Sequence, residues 1–194
     1  MSRAEAAAIF ARLISEEKGE SITGKPSFTD VSSKEWYYSY IGYLEKYNVI
    51  EGYNDNTFKP EKKVTRAEFV AMAVRCYDVT NDVNKSGYNV NYTDINSSHW
   101  AYKDVAYAKH TGWLNGYADG SFKPDVNITR EEVVAVVNRA TGRVADKEYI
   151  NENYTKLNRF TDVKDSNAWF FADVYESSNT HIAVSGDDAE NWIK

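Results

Sequence analysis

The stretch FTDVSSKEWYYSYIGYLEKYNVIEGYNDNTFKPEKKVTRAE, residues 28–68, decides the fold, because YTDINSSHWAYKDVAYAKHTGWLNGYADGSFKPDVNITREE, residues 92–132, repeats it at a shift of 64. Without a gap, 15 of the 41 paired positions are identical, among them Asp30 with Asp94, Trp36 with Trp100 and Gly52 with Gly116. Self-similarity at a fixed period is the mark of a repeat architecture, in which no unit buries its apolar faces alone.

Two half-copies flank the whole ones. Ser2-Arg3-Ala4-Glu5 and the apolar run behind it match Thr65-Arg66-Ala67-Glu68, and Phe160-Thr161-Asp162-Val163 with Trp169 matches Phe28 to Val31 with Trp36. The chain therefore divides into a late half (1–27), a repeat with a polar connector (28–91), a second repeat with connector (92–159) and an early half (160–194). Three equivalents predict a pseudo-threefold, mainly α body with short extended pieces.

Each unit has three parts. A Phe/Tyr-Thr-Asp turn leads to a helix with Ile41 and Leu44 at helical spacing. A loop follows, Gly52 to Pro60 or Gly116 to Pro124, where Asp-Asn or Asp-Gly supplies the positive φ of a tight turn. A second helix starts at Thr65 or Thr129. The connectors, 79–91 and 141–158, are rich in Asn, Asp, Lys and Gly and read as surface insertions. Asp82-x-Asn84-x-Ser86-Gly87 has the front of a calcium loop, but its twelfth position is Thr93 rather than Glu, so an ordinary turn is the simpler reading.

Thr65-x-x-Glu68, Ser2-x-x-Glu5 and Thr129-x-x-Glu132 have the form of capping boxes. That explains the hydroxyl and the acid but not the arginine between them. Arg3, Arg66 and Arg130 fall at the first helical position, where a cation opposes the helix dipole by a few tenths of a kcal/mol. Two readings stand side by side. Arginine with free helix-start amides makes a receptor for a carboxylate or phosphate; alternatively each arginine pairs with an aspartate such as Asp30 or Asp94. The repeated aromatics, including Trp36, Trp100, Trp169, Tyr53 and Tyr117, suit packing at helix junctions, or flat platforms for sugar rings.

Composition excludes several classes. No apolar run approaches the roughly 18 residues of a membrane span. A net charge of −6 argues against a nucleic-acid binder. One cysteine rules out a disulfide framework, and three histidines leave little for metal or acid–base chemistry. Met1 to Glu5 lacks the pattern of a signal peptide. There is no phosphate-binding glycine loop, no Gly-x-Ser-x-Gly and no His-Glu-x-x-His, and the repeated acids are accounted for by caps and turns, so no enzyme, metal or cofactor is expected.

Phe-Thr-Asp-Val, Trp, Gly-Tyr-x-Asp-x-x-Phe-x-Pro and Thr-Arg-Ala-Glu, repeated in that order, resemble the S-layer homology domain. The resemblance implies a pseudo-trimer around a central helix bundle, with grooves between neighbouring units. It implies an extracellular module, monomeric within a larger surface protein, that anchors that protein to a pyruvylated secondary cell-wall polysaccharide or a peptidoglycan-linked glycan, the Thr-Arg-Ala-Glu arginine reading the ketal carboxylate. Carried over by position, the ligand-binding residues are Arg3, Arg66 and Arg130; Trp36, Trp100 and Trp169; Gly52, Tyr53 and Asp55; and Gly116, Tyr117 and Asp119. Arg66 stands in the best-preserved motif. Arg3 is preceded only by Met1-Ser2, and Glu131 beside Arg130 replaces the usual alanine and weakens anion capture there. The competing expectation is a structural module that packs against other protein without glycan.

Overall fold

The computed structural model describes residues 1–179, 182–185 and 190–193, which form two compact units, 1–128 and 129–194. Thr180, His181, residues 186–189 and Lys194, within the segment expected to be the final half-repeat, lie outside the described residues.

The first unit holds four helices: α1 (Arg3–Lys18), α2 (Tyr38–Lys46), α3 (Arg66–Asn81) and α4 (Tyr102–His110). Helix α1 packs on α2 and α3, and α3 packs on α4. Ala4, Ala6, Ala7, Ala8, Phe10, Ala11 and Ile14 of α1 are all buried, and α3 is similarly apolar on most sides. A helix apolar over most of its circumference belongs in the interior, and the alanines of α1 let its neighbours approach closely. Phe10 and Phe69 meet at the α1–α3 contact with ring centroids 5.0 Å apart. The early helices are amphipathic and contribute Ile41, Tyr43 and Leu44 from α2 and Val105, Ala106 and Ala108 from α4. On the α2 side the chain passes unusually close: a Cβ on Gly42 would lie 2.4 Å from the Gly24 carbonyl carbon, so glycine is required there by backbone contact.

Capping boxes start α1, α3 and α5 (Arg130–Ala140): Ser2, Thr65 and Thr129 each accept from the backbone N–H three residues on, and Glu5, Glu68 and Glu132 reach back. The next amides are also used. Arg3 N–H donates to Lys62 O and Ala4 N–H to Pro60 O, both at 2.9 Å; Arg66 N–H donates to Val126 O at 2.9 Å and Ala67 N–H to Pro124 O at 3.0 Å. Helices α1 and α3 are thus stitched by their first turns to the loop of the following repeat, and their orphan donors are satisfied. The free helix-start amides of the anion-receptor reading do not exist at α1 and α3.

The second unit contains α5, α6 (Lys147–Asn153), α7 (Phe171–Ser178) and a hairpin of β1 (Ile182–Ser185) and β2 (Glu190–Ile193), antiparallel with Ile182 opposite Ile193. Helix α7 packs on α5 and α6. Segment 141–158 corrects the expectation of a purely polar insertion. It carries α6, whose Ile150 is fully buried with Phe171, Ala172 and Tyr175, flanked by Tyr149, Tyr154 and Leu157. One isoleucine among Asn, Glu and Lys gives no periodic signal, which is why the helix escaped notice.

Candidate functional site

The loop between early and late helices is set by an aspartate from the preceding turn. Asp30 accepts from the N–H groups of Phe58 (2.8 Å) and Lys59 (2.7 Å), and Asp94 from those of Phe122 and Lys123, both at 2.7 Å. These bonds hold Lys59 and Lys123 at φ 56° and 59°, an αL conformation unusual for lysine. The carboxylates of Asp30 and Asp94 thus serve the loop backbone, and the acid that pairs with Arg3 is Glu68. Asp55 and Asp119 close the turn itself, accepting from Thr57 N–H (3.2 Å) and Ser121 N–H (3.0 Å). The hydroxyls of Thr57 and Ser121 and the adjacent Lys59 and Lys123 hold both carboxyls below the usual aspartate range. Gly52 and Gly116 serve packing: a Cβ would sit 2.3 Å from the ring of Phe28 or Tyr92 and 2.9 Å from Thr57 O or Ser121 O.

Against this loop lies the arginine of the preceding late helix. Arg3, 3% exposed, donates from Nε to Phe58 O (2.8 Å) and from Nη2 to Glu51 O (3.1 Å). Its Nη1 pairs with Glu68 at 2.9 Å, and its guanidinium lies over the rings of Phe58 (4.4 Å) and Tyr53 (4.9 Å). Arg66, 5% exposed, repeats the arrangement: Nε donates to Phe122 O (2.9 Å), Nη2 to Asn115 O (3.4 Å), and the guanidinium faces Tyr117 and Phe122 at 4.9 and 5.0 Å. The cation at the wrong end of the helix is explained by loop carbonyls and aromatic faces that replace the lost dipole term.

Glu68 is central to the first cradle. Burial works against its charge, but the Thr65 N–H, the Tyr53 hydroxyl at 2.6 Å, Arg3 and Lys62 together hold it below the usual glutamate range. Sequence reading assigned Glu68 to the capping box alone; it closes the box and also partners Arg3.

In the first unit these elements border a groove of about 310 Å³, lined by Arg3, Gly52, Tyr53, Glu68, Arg75 and Trp100, among others. Four of the residues expected from sequence, Arg3, Gly52, Tyr53 and Trp100, thus come together, around Arg3 rather than the Arg66 that sequence reading placed first. Trp100, from the following repeat, is 55% exposed and stacks loosely on His99, with ring centroids 5.7 Å apart. Asp55 is not part of the lining. Trp36 and Trp169 are equally exposed; Trp36 lies edge-on to Tyr37 and Tyr40, and Trp169 edge-on to Phe170. In the second unit Arg130 is exposed, faces Phe160 at 5.3 Å and borders a smaller hollow of about 210 Å³ with Glu131 and Asp162. Two carboxylates beside one exposed guanidinium make that hollow a poor anion site.

A second repeated arginine was missed. Arg12, Arg75 and Arg139 lie nine residues after Arg3, Arg66 and Arg130, and each reaches the next early helix. Arg12 Nη2 donates to the Tyr40 hydroxyl (3.2 Å), Arg75 Nε pairs with Asp104 (3.5 Å), and Arg139 Nη2 pairs with Asp173 (3.5 Å). The register was legible, but the partner position changes from Tyr to Asp, which hid the pattern. Among the described residues no group of three or more His, Cys, Asp and Glu is placed to hold a metal, and no helix is long and apolar enough to cross a membrane. Asp82 of the calcium-like segment is the αL cap of α3, and Asn84 forms a local turn with Ser86 N–H.

Comparison with known proteins gives this geometry a family. Residues 27–70 and 91–134 match the S-layer homology domain. The chain is 30% identical over 200 residues to Cell surface glycoprotein 1 of Acetivibrio thermocellus, covering 100% of this chain and 8% of that protein. It is 33% identical over 185 residues to the Cellulosome-anchoring protein of the same organism, covering 93% of this chain and 39% of that one. An Endoglucanase of Bacillus sp. (strain KSM-635) is 33% identical over 132 residues, 68% of this chain and 13% of the enzyme. The chain spans well under half the length of each of these relatives.

Proposed function

The chain carries two S-layer homology domains, and we propose that it is a non-catalytic module that anchors a larger surface protein to the cell wall by binding an anionic, pyruvylated secondary polysaccharide. The relatives support the coarser part of this reading. One is named for anchoring and one for the cell surface, and an enzyme shares the segment over only a small part of its length, as a module separate from catalysis would be shared. The observation that carries the finer part is the groove of the first unit, where Arg3 and Arg75, paired with Glu68 and Glu51, share the lining with Tyr53, the Gly52 loop and the exposed Trp100. An exposed indole beside buried cations is a stacking face for a sugar ring, with the charge placed to read an acidic substituent. In this scheme the segments 1–27, 28–91, 92–159 and 160–194 act as a half, two whole repeats and a half, and Arg3, Gly52, Tyr53 and Trp100 form the first binding groove.

The second reading, a structural module that packs against other surface protein, is favoured by the burial of Arg3 in its ion pair with Glu68. Co-sedimentation with cell-wall sacculi separates the two. Under the anchoring reading the protein pellets with intact sacculi, stripping the secondary polymer abolishes pelleting, and Trp100→Ala weakens it at unchanged melting temperature. Absence of pelleting with intact sacculi overturns the anchor and leaves the structural module.

A further inference from the structure

The groove contains a second arginine, and its two ends are held differently. Arg75 Nε is anchored to Asp104 at 3.5 Å; that carboxylate is buried and also held by Lys85 at 3.1 Å. At the other end Arg75 Nη1 meets the Glu51 carboxylate at 3.2 Å, and the Glu51 side chain is 71% exposed. The first contact fixes the stem of the arginine; the second is an exposed ion pair of the kind worth at most about 1 kcal/mol.

Glu51 touches both arginines of the groove, by its carbonyl to Arg3 and by its carboxylate to Arg75. Only the carbonyl contact is shared by the repeats. The matching residue of the next repeat is Asn115, whose carbonyl accepts from Arg66 while its neutral side chain accepts from Lys109. The fold of the loop therefore does not need an acid at this position. Arg3, by contrast, is committed to two carbonyls, to Glu68 and to two aromatic faces.

We propose that Arg75 is the groove's exchangeable carboxylate reader and that Glu51 is a resident competitor, which the carboxylate of an incoming acidic sugar displaces. The proposal rests on the wall-polysaccharide reading above and assigns the charge recognition within it. Displacement exchanges one carboxylate for another on the same guanidinium, so no charge is left unpaired in the groove and Glu51 passes to solvent.

The test is titration of the protein with a methyl glycoside bearing a pyruvate ketal and with the same sugar lacking it, comparing wild type, Glu51→Gln and Arg75→Gln. Removing the competitor should tighten ketal binding about 2- to 5-fold. Removing the reader should weaken it by at least about tenfold, and ketal binding by Glu51→Gln, which forms a new ion pair instead of exchanging one, should depend more on salt than that of wild type. Wild-type preference for the ketal with both variants matching wild type overturns the assignment to Arg75 while leaving the anchor reading intact. Equal binding of ketal and parent sugar by wild type overturns carboxylate recognition itself and the assignment with it. Should Arg75→Gln fail to fold, the exposed Glu51→Gln variant decides alone: unchanged affinity refutes the competitor.

Discussion

Replacing Arg3 with methionine isolates what the buried guanidinium does for the fold. The substitution keeps an apolar stem against Phe58 and Tyr53 and removes the ion pair with Glu68, the bond to Phe58 O and the bond to Glu51 O. Removing one partner of a buried pair costs about 3–5 kcal/mol, and a buried carbonyl left without a donor about 1–3 kcal/mol. These overlap, because one group makes all three contacts, and Glu68 keeps the Thr65 N–H at 2.9 Å and the Tyr53 hydroxyl at 2.6 Å. The low end follows: about 3 kcal/mol, or roughly 10 °C in melting temperature for a unit of this size. Guanidinium chloride denaturation followed by circular dichroism, on wild type, Arg3→Met, Glu68→Gln and the double variant, measures both the loss and the coupling. A coupling of about 1–3 kcal/mol is expected, the double variant being less destabilised than the sum of the singles. A loss under about 0.5 kcal/mol for Arg3→Met, with additive singles, would refute the buried pair.

Three further outcomes follow from the same geometry. Glu68 has a depressed folded-state pKa, so its contribution is complete above the ordinary glutamate value near 4.5 and is lost as pH falls through the folded value; Glu68→Gln, which still suits a capping box, should lose less stability than wild type between about pH 5.5 and about pH 3 in urea titrations. Gly42→Ala should destabilise by about 3 kcal/mol and more than Gly52→Ala, because its new Cβ meets backbone at 2.4 Å whereas that of Gly52 meets chiefly a ring able to shift; thermal melts that rank them the other way would contradict the packing. Asp94→Ala should cost about 2 kcal/mol by leaving two amides without an acceptor and releasing the αL lysine that follows, with the loss read as a lower denaturation midpoint.

Much of this was legible in the chain. The 64-residue shift places the repeats, Thr-x-x-Glu fixes the late-helix starts, and the paired Asp-Asn and Asp-Gly mark the turns. What a single sequence could not give was partnership across repeats. Asp30 and Asp94 looked available to arginine, yet both are taken by loop amides, a contact with no side-chain signature. Glu68 looked fully explained by its cap, and a residue with one sufficient role hides a second. Helix α6 was missed because one buried isoleucine in seven residues carries no period.

The placement of arginine at the first helical position couples the fold to the groove. A cation there opposes the helix dipole by only a few tenths of a kcal/mol, while its side chain crosses to the next repeat and closes on that repeat's loop carbonyls. The helix start and the loop thus hold each other, by backbone stitches on one side and by guanidinium on the other. In a repeat protein, where stability is largely a sum of units and their interfaces, this puts interface energy into the same loop that lines the groove. Arg3 therefore cannot report on binding alone: any change there alters the interface that shapes the site. Trp100 and the Glu51 carboxylate can, because both side chains are exposed and the contact of Glu51 with Arg3 is through its backbone carbonyl, which substitution leaves in place. A loss of wall binding seen only with arginine substitutions is consistent with a collapsed loop, whereas the same loss with Trp100→Ala at constant stability requires a ligand in the groove.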